Sequence, residues 1–139
     1  MASADSWLLT HDHVADSRLL LTAQAAYSYG ISGYDGWGCD VSNRVHVTVH
    51  QYDCFNLNEP RCPGGSTMFH GECIGTAKAT EDGRPFDTLA GQVAKNGDAD
   101  KHLVVKMDVE GHEIEAVQGL SGLLAKNRCI IQVEVWDDP

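Results

Sequence analysis

The sequence predicts an α/β domain with a mostly parallel sheet of about five strands. Three observations point there. From Ala26 onward, strand-like segments alternate with helices or long crossovers. The run Leu103–Val109 is almost continuously apolar, as a strand buried on both faces requires. A chain of 139 residues, 42% of them hydrophobic, sustains one compact core and not two.

The elements follow in order. Residues 5–26 carry a helical apolar rhythm at Val14, Leu19, Leu20, Ala23 and Ala26, so a short helix is expected in a lead-in over 1–25 that precedes the main domain at 26–139. Ala26–Ile31 is aromatic-rich and meets Gly30, which predicts a strand running into a tight turn. Ile31–Asn43, with glycines at 33, 36 and 38, reads as a loop. Val45–His50 alternates β-branched and polar residues, a strand ending near Asp53. Prolines, glycines and asparagines crowd Asn56–Ser66 into a loop, and Thr67–Ile74 reads as a short strand. Phe86, Leu89, Ala90 and Val93 have helical spacing over Pro85–Lys95, with Asp87 placed to cap or charge the first turn and Gly97 to stop it. Leu103–Val109 is then a strand, His112–Lys126 a helix, and Cys129–Trp136 a last apolar strand.

Charge narrows the partners. Ten Lys and Arg stand against twenty Asp and Glu, a net charge of -10, and the basic residues are scattered. Such a surface repels phosphate backbones and anionic lipid, so neither nucleic acid nor membrane is expected as a partner. The apolar runs are far too short to span a bilayer, and no secretory signal pattern is visible. The default expectation is therefore the cytoplasm, or the secretory pathway if the N-terminus has been trimmed.

In a doubly wound sheet, ligands bind beyond the carboxyl ends of the strands, at the topological switch point. At the first strand end stand Gly30, Ser32 and Gly33, where glycine lets the backbone approach a ligand and reach positive φ; a plain turn explains them equally well. At the second stands Asp53, roughly 20 residues on, the spacing at which a carboxylate accepts from ribose hydroxyls. A solvated loop aspartate is the ordinary alternative. At the fourth stands Lys106-Met107-Asp108-Val109-Glu110-Gly111-His112-Glu113. Asp108 and Glu110 share a strand face by period 2, and two like charges beside an apolar strand need a cation, donor or ligand to compensate them. Glu113, at a helix start, suits the dipole and needs no further role.

These residues carry a resemblance. Leu103–Glu113, with Ala116-Val117-Gln118-Gly119 and Ile130–Val135 after it, resembles the signature half of FkbM-type S-adenosylmethionine-dependent methyltransferases. Phe86-Asp87-Thr88-Leu89 is similar to a short element preceding that signature, and Tyr27–Ile31 and His50–Cys54 to the first two strand ends of the eukaryotic methyltransferase-like branch. The resemblance implies a Rossmann-like, three-layer methyltransferase sandwich using S-adenosylmethionine, with Gly30 towards the methionine part and Asp53 towards the ribose. Ser32 and Gly33 belong to the same turn, and Asp108 and Glu110 line the cleft near the sulfonium. Asp108 is then the first candidate base and His112 the second, for methyl transfer to oxygen of a small-molecule, glycan or peptide acceptor. Two departures stand out: the 31–43 segment leaves little room for a first helix, and the sequence stops just after the fifth strand. The sheet is thus expected to be incomplete at that edge, with 129–136 able to pair with a second copy in a homodimer.

Two rival classes remain: a non-catalytic Rossmann-like interaction domain, and a nicotinamide-dependent oxidoreductase, which lacks the tight G-x-G-x-x-G. The five cysteines cannot all pair. Cys54, Cys62 and Cys73 with His50 and His70 have the wrong spacing for a strong zinc site, and a Cys62–Cys73 or Cys54–Cys62 disulfide is the better expectation in an oxidising compartment, with unpaired buried thiols an equal alternative. No metal is expected, and His11-Asp12-His13 reads as a solvated helix end.

Overall fold

A computed structural model describes residues 6–8, 14–16, 21–107 and 131–135, with side chains over 21–107. Its elements are β1 (Ser6–Leu8), β2 (Val14–Asp16), β3 (Ala25–Tyr29), α1 (Gly36–Val45), β4 (Val49–Tyr52), β5 (Thr67–His70), β6 (Cys73–Ile74), β7 (Ala79–Glu81), β8 (Arg84–Asp87), α2 (Leu89–Lys95), β9 (Leu103–Met107) and β10 (Ile131–Val135). The main sheet is five-stranded in the order β10-β9-β3-β4-β5. Every pair in it is parallel. This is the expected α/β, Rossmann-like architecture: β3 lies at the centre, the chain winds outward through β4 and β5, then returns to the other side at β9 and β10. The switch point falls between β3 and β9. A small sheet, β6-β8-β7, stands beside it.

Each face of the main sheet is covered by a helix. Ala26, Val49 and Val104 pack with Trp37 and Val41 of α1. Tyr27, Tyr29, Tyr52, Val105 and Met107 face the other way, against Leu89 and Val93 of α2. Period-2 alternation along β3, β4 and β9 produces this division. Each large side chain taken fully out of water contributes about 1.5–3 kcal/mol, so these two clusters are what hold the layers.

Several expectations are corrected. Residues 36–45 are helical, although 31–43 reads as a loop. Trp37, Val41 and Val45 recur at every fourth position, and Asp35 caps the helix by accepting from Gly38 N–H at 2.9 Å. The glycines that disguise the helix serve the cap: a Cβ at Gly38 would collide with the Asp35 carboxylate. Val45 accordingly ends α1, His46 takes a left-handed φ of 61° at its C-cap, and the second strand begins only at Val49. Thr67–Ile74 is two strands in different sheets, β5 and β6, separated at Gly71. Over 85–95, the helix starts at Leu89, capped by Thr88 rather than Asp87, and Arg84–Asp87 is a strand. In the lead-in, β1 and β2 form an antiparallel pair where a helix is expected, with Leu21 and Thr22 helical. Trp7-Leu8 and Val14-Ala15 are adjacent apolar pairs rather than a helix-spaced run. The expected helix at 112–126 lies outside the described residues.

The hairpin β7–β8 closes through Asp82-Gly83, with φ of 50° and 73°. Asp-Gly with both residues at positive φ is the favoured two-residue hairpin turn. Two disulfides brace the strand-end loops, Cys39–Cys62 and Cys54–Cys73. Neither is a pairing that the spacing favours. Cys39 lies on α1, and the fold brings that helix to the 56–66 loop. No helix among the described residues is long and apolar enough to cross a membrane.

Candidate functional site

The carboxyl ends of β3 and β4 are tied together before any ligand is considered. Gly30 N–H donates to Tyr52 O at 3.2 Å, carrying the ladder one step past the strands. The chain then turns through Gly30, Ser32 and Gly33 at φ of 78°, 44° and 80°. Three left-handed residues within four positions cost little only where glycine dominates, and Ser32 is the exception that must be held. Asp53 holds it. Its Oδ2 accepts from Ser32 N–H at 2.8 Å, while Oδ1 accepts from the N–H groups of Phe55 at 2.9 Å and Asn56 at 3.0 Å. One carboxylate therefore organises both strand-end loops. Of its roughly four lone-pair directions, three are taken by the backbone and about one is left for a ligand hydroxyl.

Gly30, Ser32, Gly33 and Asp53 are thus brought together at the carboxyl ends of β3 and β4, one strand away from the β3–β9 switch point. Asp108, Glu110 and His112 lie outside the described residues, immediately beyond β9. The backbone register sets β9 beside β3, with Met107 opposite Tyr29.

Beneath this edge, on the α1 face, lies a polar row. Asp35 is buried and accepts from Ser28 Oγ at 3.0 Å and Gln51 Nε2 at 3.0 Å. Lys106 is also buried, and stands opposite Ser28 across β3–β9. Trp37 Nε1 and Gln51 Oε1 are buried without a hydrogen-bond partner among the described residues.

The other face holds a network that the sequence reading missed. Rings of Tyr27, Tyr29, Tyr52, His50 and His70 lie nearly parallel across β3, β4 and β5, with neighbouring centroids 4.5–6.5 Å apart. Their polar tips all find partners. Tyr27 Oη donates to Asp98 Oδ2 at 2.6 Å, and Tyr29 Oη to Gln92 Oε1 at 2.8 Å. Asn96 Nδ2 donates to the hydroxyls of Tyr52, at 2.8 Å, and Tyr27, at 3.2 Å. His50 Nδ1 and His70 Nε2 are 3.0 Å apart, and His50 Nε2 lies 3.4 Å from Asp98. Burial pushes all three tyrosines well above their ordinary pKa and both histidines below theirs. These are neutral groups at neutral pH, arranged to satisfy one another. The signal was present in the alternation Tyr27-x-Tyr29 and His50-x-Tyr52, which puts four polar rings on one face.

The zinc alternative finds no support here: its cysteines are in disulfides, and no metal-holding group of His, Cys, Asp and Glu occurs among the described residues.

The fold is an α/β domain of Rossmann-like type, with the loops after β3 and β4 tied together at the carboxyl ends of the strands. The particular likeness is to the hexuronic acid methyltransferase AglP of Haloferax volcanii, 37% identical over 125 residues, an alignment taking in 73% of this chain and 52% of the relative. The chain thus spans about half the length of the curated relative it matches. No family model matches the chain. No solved structure matches it.

Proposed function

We propose that the domain binds S-adenosylmethionine and directs its methyl group to an oxygen of an acceptor. The observation that carries this reading is the likeness to a methyltransferase over 73% of the chain. The residues present fit such a cofactor. A turn with three positive φ values offers open backbone at the strand end, and Asp53 retains an acceptor direction for a ribose hydroxyl. The cofactor supplies a methyl group already activated by positive sulfur; the chain's part is alignment. Gly30, Ser32 and Gly33 shape the seat, Asp53 fixes the ribose, and Asp108 and Glu110 bring negative charge to the cationic end. Asp108, with His112 as second candidate, takes the acceptor proton. The relative's name points to an acidic sugar as the acceptor class.

The rival reading, a binding domain without catalysis, rested in part on a missing first helix. With α1 in place that support is gone.

Calorimetry with S-adenosylmethionine and its demethylated product tests the proposal. Both bind the wild-type chain, and Asp53→Asn, which keeps an acceptor oxygen for Ser32 but loses the charge, weakens both by about tenfold, or ~1.4 kcal/mol. Heats indistinguishable from dilution, or equal affinity in the variant, overturn the cofactor reading or the ribose role respectively.

A further inference from the structure

Beside the Asp53 loop lies a half-open cleft of about 330 Å³ between Phe55 on one side and the β7–β8 hairpin on the other. Its chemistry is mixed. Its lining includes two aromatic residues, Phe55 and Phe86, one guanidinium-bearing residue, Arg84, and two acidic residues, Glu81 and Asp82, with Gly75 packed close against Phe86. Phe55 is 68% exposed, which is unfavourable for a large apolar ring.

That exposure is enforced from several directions. Phe55 follows Cys54, whose disulfide to Cys73 fixes it to β6. Its own N–H donates to Asp53. Arg84 Nε donates to Cys54 O at 3.2 Å, and the guanidinium carbon sits 4.5 Å from the Phe55 ring centroid. β6 pairs with β8, so the disulfide joins the two walls of the cleft. An aromatic ring braced in the open, with the Arg84 guanidinium over one face, leaves its other face as a preorganised platform.

The lining selects among ligands. A wholly apolar molecule would strip water from Glu81, Asp82 and Arg84 without replacing their hydrogen bonds. A polyanion would meet two carboxylates against one guanidinium. A hydroxylated ring avoids both costs: its C–H face lies on an aromatic ring, and its hydroxyls donate to the carboxylates and accept from the guanidinium. The volume sits at the small end of the about 300–1,000 Å³ range of small-molecule sites, enough for one or two rings.

We propose that the cleft bounded by Phe55, Glu81, Asp82, Arg84 and Phe86 is a sugar-binding subsite, holding a pyranose ring of a glycan acceptor. Its role as an acceptor subsite rests on the methyltransferase reading above, because Asp53 joins the cleft to the proposed cofactor edge; the sugar binding itself does not.

Amide NMR titration of the full chain with cellobiose and with methyl β-D-glucuronide, and separately with S-adenosylhomocysteine, tests it. At least one sugar shifts the amides of Phe55, Gly75, Glu81 and Gly83 and saturates below about 20 mM, and Phe55→Ala weakens it about tenfold without lowering the melting temperature. S-adenosylhomocysteine shifts residues 30–33 instead. If neither sugar shifts the cleft by about 20 mM, or if S-adenosylhomocysteine occupies it and competes with sugar, the subsite is refuted. Sugar binding with no response to S-adenosylhomocysteine supports the subsite and removes the cofactor reading, so the two fail separately.

Discussion

The two faces of the main sheet solve the same burial problem by different means. On the α1 face, Trp37, Val41, Val49 and Val104 form an apolar layer in which Asp35, bonded to Ser28, Gln51 and Gly38, is the organised polar point. On the α2 face, β3 and β4 contribute three tyrosines and His50, whose tips meet Asp98, Gln92 and Asn96 from the segment 92–98. The first face is held by shape and by the bonds of one carboxylate; the second is held by shape and by a network with many members. A network is stiff when complete and costly when opened, since each orphaned buried group loses water without gaining a partner. The α2 face is therefore the one through which polar substitutions and pH act on the fold.

The sharpest break is Asp98→Ala. Asp98 is 2% exposed, and accepts from Tyr27 while facing His50 and Lys101. The ion pair with Lys101, 2.8 Å long but 45% exposed on the lysine side, contributes little. The loss comes from Tyr27 Oη and His50 Nε2, and denaturant melts should show about 3 kcal/mol of destabilisation. Asp35→Ala on the opposite face removes one cap and two side-chain bonds, with an expected cost of about 2 kcal/mol. A larger loss at Asp35 than at Asp98 would reverse the comparison.

How far the sequence disclosed this fold depends on the length over which a pattern repeats. Leu103–Met107 was legible because a short, mainly apolar run between polar segments fits a strand buried on both faces, and Ile131–Val135 because apolar and polar residues alternate with period 2. The helix at 36–45 was hidden because Gly36 and Gly38 argue locally against a helix, whereas the Trp37/Val41 stripe and the Asp35 cap act through tertiary packing. Asp82-Gly83 carries a strong local hairpin signal, and the chain turns there. Of the candidate site, Gly30, Ser32, Gly33 and Asp53 were legible as strand-end residues. That Asp53 would bind three backbone N–H groups was not, because it depends on how two loops stack. The alternation in β3 and β4 announces the Tyr and His rings, but their partners were invisible for a related reason: Gln92, Asn96 and Asp98 are brought in by α2 and the turn after it, with no motif to announce them.

The smallest effect expected is the pH response of the α2 face. With His50 Nε2–H directed at Asp98, Nδ1 accepts from His70 Nε2–H, an arrangement that requires a neutral His50 and is lost when both rings are protonated. Burial lowers both pKa values, outweighing the carboxylate of Asp98 at His50 and of Glu72 at His70, while Lys101 and Lys95 push in the same direction as burial. The unfolded rings titrate near the ordinary value of 6.5. Between that value and the lower folded one, the unfolded chain binds more protons, so stability rises with pH there. It is complete above about pH 6.5 and declines as pH falls through the folded values, by up to about 1.4 kcal/mol per pH unit for each proton taken up on unfolding. Urea melts between pH 5.5 and 8 measure this slope, above the range where most carboxylates titrate. The His50→Gln/His70→Gln double variant should flatten it whatever its absolute stability, whereas Asp35→Ala should leave it unchanged. A slope that persists in the double variant would place the proton-linked groups elsewhere and remove the distinction between the faces.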